Sequence, residues 1–260
     1  MRGSFESEMT FYSFCPDHVP KPIAWGNYES DTTTWFYLCD FHDMIDDLPG
    51  PDDLVPVIAD VQTARVAKPS NNNFNFLADI HNDDKWQVSW ELQFTQAMRR
   101  MFSHEEQLRG KDDRLTELRE DLFEKVIPRL LRPLETSGHS LQPCLIHSDL
   151  CPSSVMVDED TSKVMIFDSC AYWSHNEAEL GTWRSTQNKS GPPYSSEYIV
   201  KMGISEPVED WDDRNALRYI LLLSTMYPDD PKFRTMAMWE MQRLVDKFPM
   251  GYEGNQFVSP

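Results

Sequence analysis

Leu115, Leu118, Leu122, Val126 and Leu130 recur at intervals of three and four residues, which places them on one face of a helix. Leu217, Leu221 and Ser224, with Ile220 beside them, begin a second stripe of the same period. Asp230-Pro231 then supplies an N-cap and a first-turn proline for a last helix. Its inner face is Phe233, Ala237, Met241, Leu244 and Phe248, and Pro249 and Gly251 close it. These stripes read as core and not as ligand-binding faces. Towards the start the period changes. A short amphipathic piece covers residues 4–14, and after the proline-rich VPKP come two predicted strands, 22-PIAWG-26 and 34-TWFYLCDF-41, the second rich in β-branched and aromatic residues. The stretch 48-LPGPDD-53 predicts a turn that opens a helix, and 69-PSNNN-73 predicts a loop. A few strands, a helical mass, a central hairpin and further helices suit an α+β fold better than a regular βαβ series.

The central hairpin carries the candidate chemistry. Val155-Met156-Val157 and Val164-Met165-Ile166-Phe167 are strand-like, and residues 158–163 form a polar turn between them. Pairing about that turn sets residue 155 opposite residue 166 and so brings Asp168 beside Ser153 and Ser154. Asp149, in a His-x-Asp triplet with His147, precedes the first strand by a few residues. Phosphoryl transfer uses such a grouping: one aspartate orients the attacking hydroxyl and accepts its proton, and another carboxylate holds Mg²⁺ on the nucleotide phosphates. Mg²⁺ favours hard oxygen ligands, one or two of them carboxylates. Asp149 fits the first role and Asp168 the second. The same residues also read as an ordinary hairpin with acidic ends on an acidic surface.

Composition narrows the alternatives. The chain has 260 residues, 40% of them apolar and 12% aromatic, which is a globular composition. Its 43 acidic and 24 basic side chains leave a formal charge of −19, against nucleic-acid binding, which needs cations facing phosphates. No apolar run is long enough to span a bilayer and residues 1–20 lack the pattern of a secretory signal, so neither a membrane nor export is expected. The five cysteines show no Cys-x-x-Cys pair, and the expectation is free thiols in a reducing, cytoplasmic compartment.

The segment 145-LIHSDLCPSSVMVDEDTSKVMIFDSCAYWSHNEAELGTWR-184 resembles the core of the fructosamine/ketosamine 3-kinases, relatives of the aminoglycoside phosphotransferases. The family pattern is approximately HGDLWxGN, a strand pair ending in FDP, then GHxExEL. The resemblance extends to 18-HVPKPIAWGNYES-30, 35-WFYLCDFHDM-44, 205-SEPVEDWDDRNAL-217 and 227-YPDDPKF-233, most of the chain. It implies a protein-kinase-like, two-lobe fold and ATP with Mg²⁺ as cofactors. The implied substrate is a ketosamine, on glycated proteins or small amines, phosphorylated at the sugar's third carbon. It further implies Asp149 as catalytic base, His147 as support of its loop, and Asp168 as Mg²⁺ ligand, with Ser154 at the position of a second, weaker ligand. His175, Glu177 and Glu179 match GHxExEL, as substrate contacts or as loop supports.

The chain departs from that pattern. Ser148 replaces a glycine, Cys151 a tryptophan, Ser154 an asparagine and Ser169 the proline after the metal aspartate. A kinase-like small lobe uses a glycine-rich hairpin over the phosphates and a strand lysine held by a helix glutamate. Here MRGSFESEMTFYSF resembles the glutamate-bearing helix, with Ser4 at the usual glutamate position and Glu6 or Glu8 as substitutes, while Lys21 and Lys68 lie in loops. Residues 1–42 thus read as a remnant of the small lobe and 43–260 as the helical large lobe, with the edge of 34-TWFYLCDF-41 uncovered. Losing one charge-stabilising group costs about 10²–10³ in rate, so impaired transfer is expected. Two alternatives stand beside it: a catalytically silent kinase-like binding module, or an incomplete reading frame that begins upstream.

Overall fold

The computed structural model describes residues 1–64, 76–77, 80–81, 87–184, 190–223 and 230–253. Lys68, 69-PSNNN-73, Ser224 and residues 227–229 lie outside the described residues. In chain order the elements are α1 (Arg2–Phe14), β1 (Pro22–Tyr28), β2 (Asp31–Cys39), β3 (Met44–Ile45), α2 (Pro51–Thr63), β4 (Phe76–Leu77) and β5 (Ile80–His81). There follow α3 (Trp90–Arg109), α4 (Asp113–Asp121), α5 (Ile127–Leu131), β6 (Cys144–Ile146), β7 (Val155–Asp158), β8 (Val164–Ile166) and β9 (Tyr172–Ser174). A long 3₁₀ segment (Asn176–Arg184), α6 (Pro192–Met202), α7 (Trp211–Leu223) and α8 (Lys232–Lys247) complete them. The chain divides into two compact units, Met1–Lys85 with Pro143–Gly203, and Trp86–Gln142 with Ile204–Pro260.

In the first unit the hairpin pairs as the sequence predicts, Val155 with Ile166, Met156 with Met165 and Val157 with Val164. The Phe167 N–H donates to the Ser154 carbonyl at 3.1 Å and continues that register towards Asp168. Two pairings were not legible. β3 adds to β7 and makes a three-stranded sheet, and β6 pairs antiparallel with β9. Both involve strands of two or three residues, too short for alternation to register. α2 begins at Pro51 behind Gly50, with Asp52 and Asp53 in its first turn, where carboxylates favour the helix dipole. Leu54, Val55, Val57, Ile58 and Val61 make it apolar nearly all round, and it packs against α6 and β6. β2 pairs with β1 and with no other strand among the described residues. Trp35 and Leu38 on it are about half exposed, at 48% and 49%.

In the second unit the 115–130 stripe is buried throughout but is not one regular helix. Between α4 and α5 the residues Leu122–Val126 widen into a π turn, where Ile127 N–H reaches the carbonyl of Leu122. Pro128 has no N–H for the preceding turn, and a local change of pitch accommodates the missing bond. Asp112 caps α4 by accepting the Leu115 N–H at 2.8 Å. Asp230 accepts the Lys232 N–H at 3.0 Å across Pro231, and Phe233, Ala237, Met241 and Leu244 face inward from α8. Buried carboxylates here are paired: Glu105 with Arg234 at 2.5 Å, Asp213 with Arg243 at 2.8 Å, and Asp210 with Arg129 at 2.5 Å. Among the described residues no helix is long and apolar enough to cross a membrane.

Candidate active site

All the candidate site residues fall in the first unit. Strand β6 is wholly buried and delivers the chain to His147, after which Ser148 turns it with a left-handed φ of 74°. A non-glycine residue adopts that backbone only when its surroundings hold it. What holds it is Glu179. Its carboxylate, 1% exposed, accepts the N–H of His147 at 2.7 Å and that of Ser148 at 2.8 Å. Two successive N–H groups converging on one anion are a stable arrangement. The carboxylate is itself supported by Gln62 of α2 at 3.2 Å, and Gln62 accepts from the hydroxyl of Tyr198. Asn176 donates to that hydroxyl at 3.1 Å. Beyond Asp149 the indole N–H of Trp183 donates to the Leu150 carbonyl at 3.1 Å.

His147 links this loop to the next. Its Nε2–H donates to the Phe167 carbonyl at 3.1 Å, and its Nδ1 accepts the Asp149 N–H at 3.3 Å. Those two bonds require the neutral ring, and burial pushes its pKa from 6.5 down to about 3. The ring packs edge-on to Phe11 of α1, centroids 5.3 Å apart. His147 is therefore a neutral strap with Asp149 on one edge and the residue before Asp168 on the other. Asp149 is half-buried and Asp168 is exposed.

Asp168 also has a left-handed backbone, with φ of 59°. The three N–H groups after it are all taken. Ser169 donates to Glu8 Oε1 at 2.6 Å, Cys170 to the His147 carbonyl at 3.0 Å, and Ala171 to Ser7 Oγ at 2.6 Å. Ser7 in turn donates to the Ser169 carbonyl at 2.8 Å. Glu8 is 4% exposed, and burial raises its pKa, opposed by the bonds from Ser169 and reinforced by the charge of Asp168. Glu6 does not share this role; it pairs with Arg2 at 2.8 Å on the outer face of α1.

Glu8 and Asp168 open onto a cavity of about 370 Å³. Tyr37, Phe41, Met44 and Phe167 give it apolar walls, and Asp40 and His42 add polar groups. His42 is fixed by Asp158 through Nδ1 at 2.7 Å, and Asp158 also accepts from Thr161, bonds that lower its pKa to about 2. No lysine or arginine lines the cavity among the described residues.

The other predicted residues are placed as follows. Ser154 is buried, with its hydroxyl 3.3 Å from the Cys151 sulfur, and does not line the cavity. His175 and Glu177 are both buried with Nδ1 and Oε2 4.0 Å apart, and Glu179 is spent on the loop described above. All five cysteines lie outside disulfides. Sequence reasoning missed Ser7, Gln62, Tyr198, Trp183 and His42, whose roles arise from pairings across 22 or more residues. Glu8, Asp40 and Asp168 are among the lining residues, and carboxylate oxygens are donors of the kind Mg²⁺ takes. With no lysine or arginine there among the described residues, a divalent ion is a group able to offset nucleotide phosphates. No group of three or more His, Cys, Asp or Glu side chains encloses a metal by itself among the described residues.

The fold recurs in known proteins. No curated protein matches the chain significantly. Among solved structures, a candidate fructosamine-3-kinase from Thermobifida fusca YX-ER1 superposes with a TM-score of 0.70 at 17% identity, over 94% of this chain and 80% of that one. A candidate fructosamine-3-kinase from Haemophilus somnus 129PT gives 0.64 at 15% identity, with the same coverages of 94% and 80%. Choline kinase LicA from Streptococcus pneumoniae gives 0.56 at 11%, over 95% and 84%. These likenesses establish the protein-kinase-like α+β fold. The sequence profile of the fructosamine kinase family matches residues 12–227, from the end of α1 to beyond α7, and by that match the chain belongs to this family of phosphotransferases.

Proposed function

We propose that the chain transfers the γ-phosphoryl group of ATP to the third-carbon hydroxyl of a ketosamine, a ribulosamine or fructosamine on a protein or small amine, in the cytoplasm. The observation that carries this reading is the His147 strap, which ties Asp149 and the Asp168 loop to opposite edges of one ring. Asp149 accepts the proton of the attacking hydroxyl as its oxygen bonds to the γ-phosphorus and the bond from that phosphorus to the β-phosphate oxygen breaks, releasing ADP. Asp149 is a half-buried residue on a loop whose backbone is pinned on both sides, so little reorganisation accompanies the reaction. Asp168, with Glu8 behind it, presents oxygen to the cation, and Mg²⁺ when bound supplies charge neutralisation and orientation of the phosphates. Tyr37, Phe41 and His42 offer an apolar, partly polar wall suited to the nucleoside. In this reading residues 1–42 serve as the small-lobe portion and the remainder as the large lobe.

A second reading is favoured by one observation, the absence of lysine and arginine from the cavity wall among the described residues. On it, the chain binds a nucleotide or sugar amine without transferring phosphate. A transfer assay with ATP, Mg²⁺ and excess protein separates the two, using one fructosamine and one ribulosamine. Phosphate on the sugar, lost in Asp149→Ala, supports the kinase; no transfer to either acceptor supports the silent binder.

A further inference from the structure

We infer that Glu8 and Ser7 are positioning residues for Asp168, a latch in which α1 acts on the cation-binding loop directly through the backbone of Ser169 and Ala171. The inference rests on the kinase reading for its consequence, though not for its geometry. Asp168 sits at a φ of 59°, a conformation costly to an L residue, so the loop does not hold this shape unaided. Of the three N–H groups that follow it, two end on α1 side chains, at 2.6 Å each. The Ser7 hydroxyl returns a bond to the Ser169 carbonyl at 2.8 Å and lies 3.0 Å from the Ser169 hydroxyl, so the carbonyl and hydroxyl of Ser169 are engaged as well as its N–H. Every member is buried: Ser7 and Glu8 at 4% and Ser169 at 5% exposure.

The arrangement depends on a residue that departs from the resemblance. A proline after the metal aspartate has no N–H, so a glutamate on the facing helix could not hold it in this way. Ser169 supplies both an N–H and a hydroxyl. Glu8 faces no lysine or arginine in the cavity among the described residues, and its carboxylate oxygen at 2.6 Å from a backbone amide explains how a buried acid is retained there. The helix glutamate thereby steers Asp168 through one peptide group, with no intermediate cation.

The test compares wild type with Glu8→Leu, Glu8→Gln and Ser7→Ala, reading hydrogen exchange across residues 167–171 and Mn²⁺–ADP affinity by titration. The latch predicts exchange about tenfold faster or more in Glu8→Leu, near wild-type exchange in Glu8→Gln, whose amide oxygen still accepts, and an intermediate value in Ser7→Ala. It also predicts Mn²⁺–ADP affinity about 10–100-fold weaker in Glu8→Leu, the usual cost of losing an outer support of a metal ligand, with partial rescue in Glu8→Gln. If Glu8→Leu folds poorly, Ser7→Ala supplies the same comparison. Unchanged exchange in Glu8→Leu or Ser7→Ala overturns the latch. Faster exchange with unchanged Mn²⁺–ADP affinity overturns the positioning role. Absence of Mn²⁺–ADP binding in wild type would instead count against the kinase reading, and the exchange data would still decide the latch.

Discussion

Two loops present the two aspartates, and they are built alike from unrelated parts. Around Asp149 the left-handed residue is Ser148, and the N–H groups of 147 and 148 end on Glu179, thirty-odd residues downstream. Around Asp168 the left-handed residue is the aspartate itself, and the N–H of 169 ends on Glu8, 161 residues upstream in sequence. In each case a buried glutamate accepts backbone N–H beside the aspartate, two groups at Glu179 and one at Glu8. The difference lies in depth. Glu179 is backed by Gln62, Tyr198 and Asn176, whereas Glu8 opens on the cavity. The first loop is fixed by a relay of side chains, the second by one helix that also forms a cavity wall.

The sharpest way to break this comparison is to separate aspartates from glutamates. Asp149→Ala should lower phosphoryl transfer by about 10²–10⁴, with its melting temperature close to wild type, because Glu179 holds the N–H groups of His147 and Ser148 and His147 holds that of residue 149. Turnover and thermal unfolding measured on one preparation test both halves. A large loss of stability in that variant would show the loop to depend on the side chain. Next in size, Glu179→Ala strands two buried N–H groups, each at about 1–3 kcal/mol, and should destabilise by about 2–5 kcal/mol in denaturant titration. An effect below about 1 kcal/mol would remove Glu179 as the anchor.

The strap between the loops gives a pH dependence. The folded pKa of His147, about 3, lies below the 6.5 of an unperturbed histidine. As pH falls through about 6.5 the unfolded chain takes up a proton that the folded chain refuses, so stability declines from there towards pH 3 and is unaffected above that window. The loss should reach about 3 kcal/mol by about pH 4 and be blunted in His147→Gln, as acid unfolding curves would show. Equal acid sensitivity in that variant would deny His147 its neutral, buried role. The smallest effect sharpens the comparison at the turn itself. Ser148→Gly relieves a left-handed serine and should stabilise by about 1 kcal/mol at most, seen as a small rise in melting temperature.

How much of this was readable in the sequence follows the length of the signal. The helical stripes and the hairpin register were legible because three- and two-residue periods repeat several times there. The π turn was hidden, since the Leu115 to Leu130 face continues through it and only Pro128 hints at a break. The two aspartates were legible from the hairpin and the family motifs. Their supports were less so. Glu179 came through a motif, Glu8 only as one of two substitutes, and Ser7 not at all, because a serine in a helix carries no local sign of a partner 162 residues away. The β3 and β6 pairings are two and three residues long, and only the tertiary fold makes them strands.

The central proposal is that Asp168 holds a magnesium–nucleotide complex at the cavity, with Asp149, which does not itself line that cavity, tied to the same loop through His147. Thermal unfolding with and without millimolar Mg²⁺–ATP, in wild type and in Asp168→Ala, tests it most directly. The account predicts a raised melting temperature for wild type that is absent in Asp168→Ala and absent when Mg²⁺ is chelated. No rise in wild type, or an equal rise in Asp168→Ala, would contradict it.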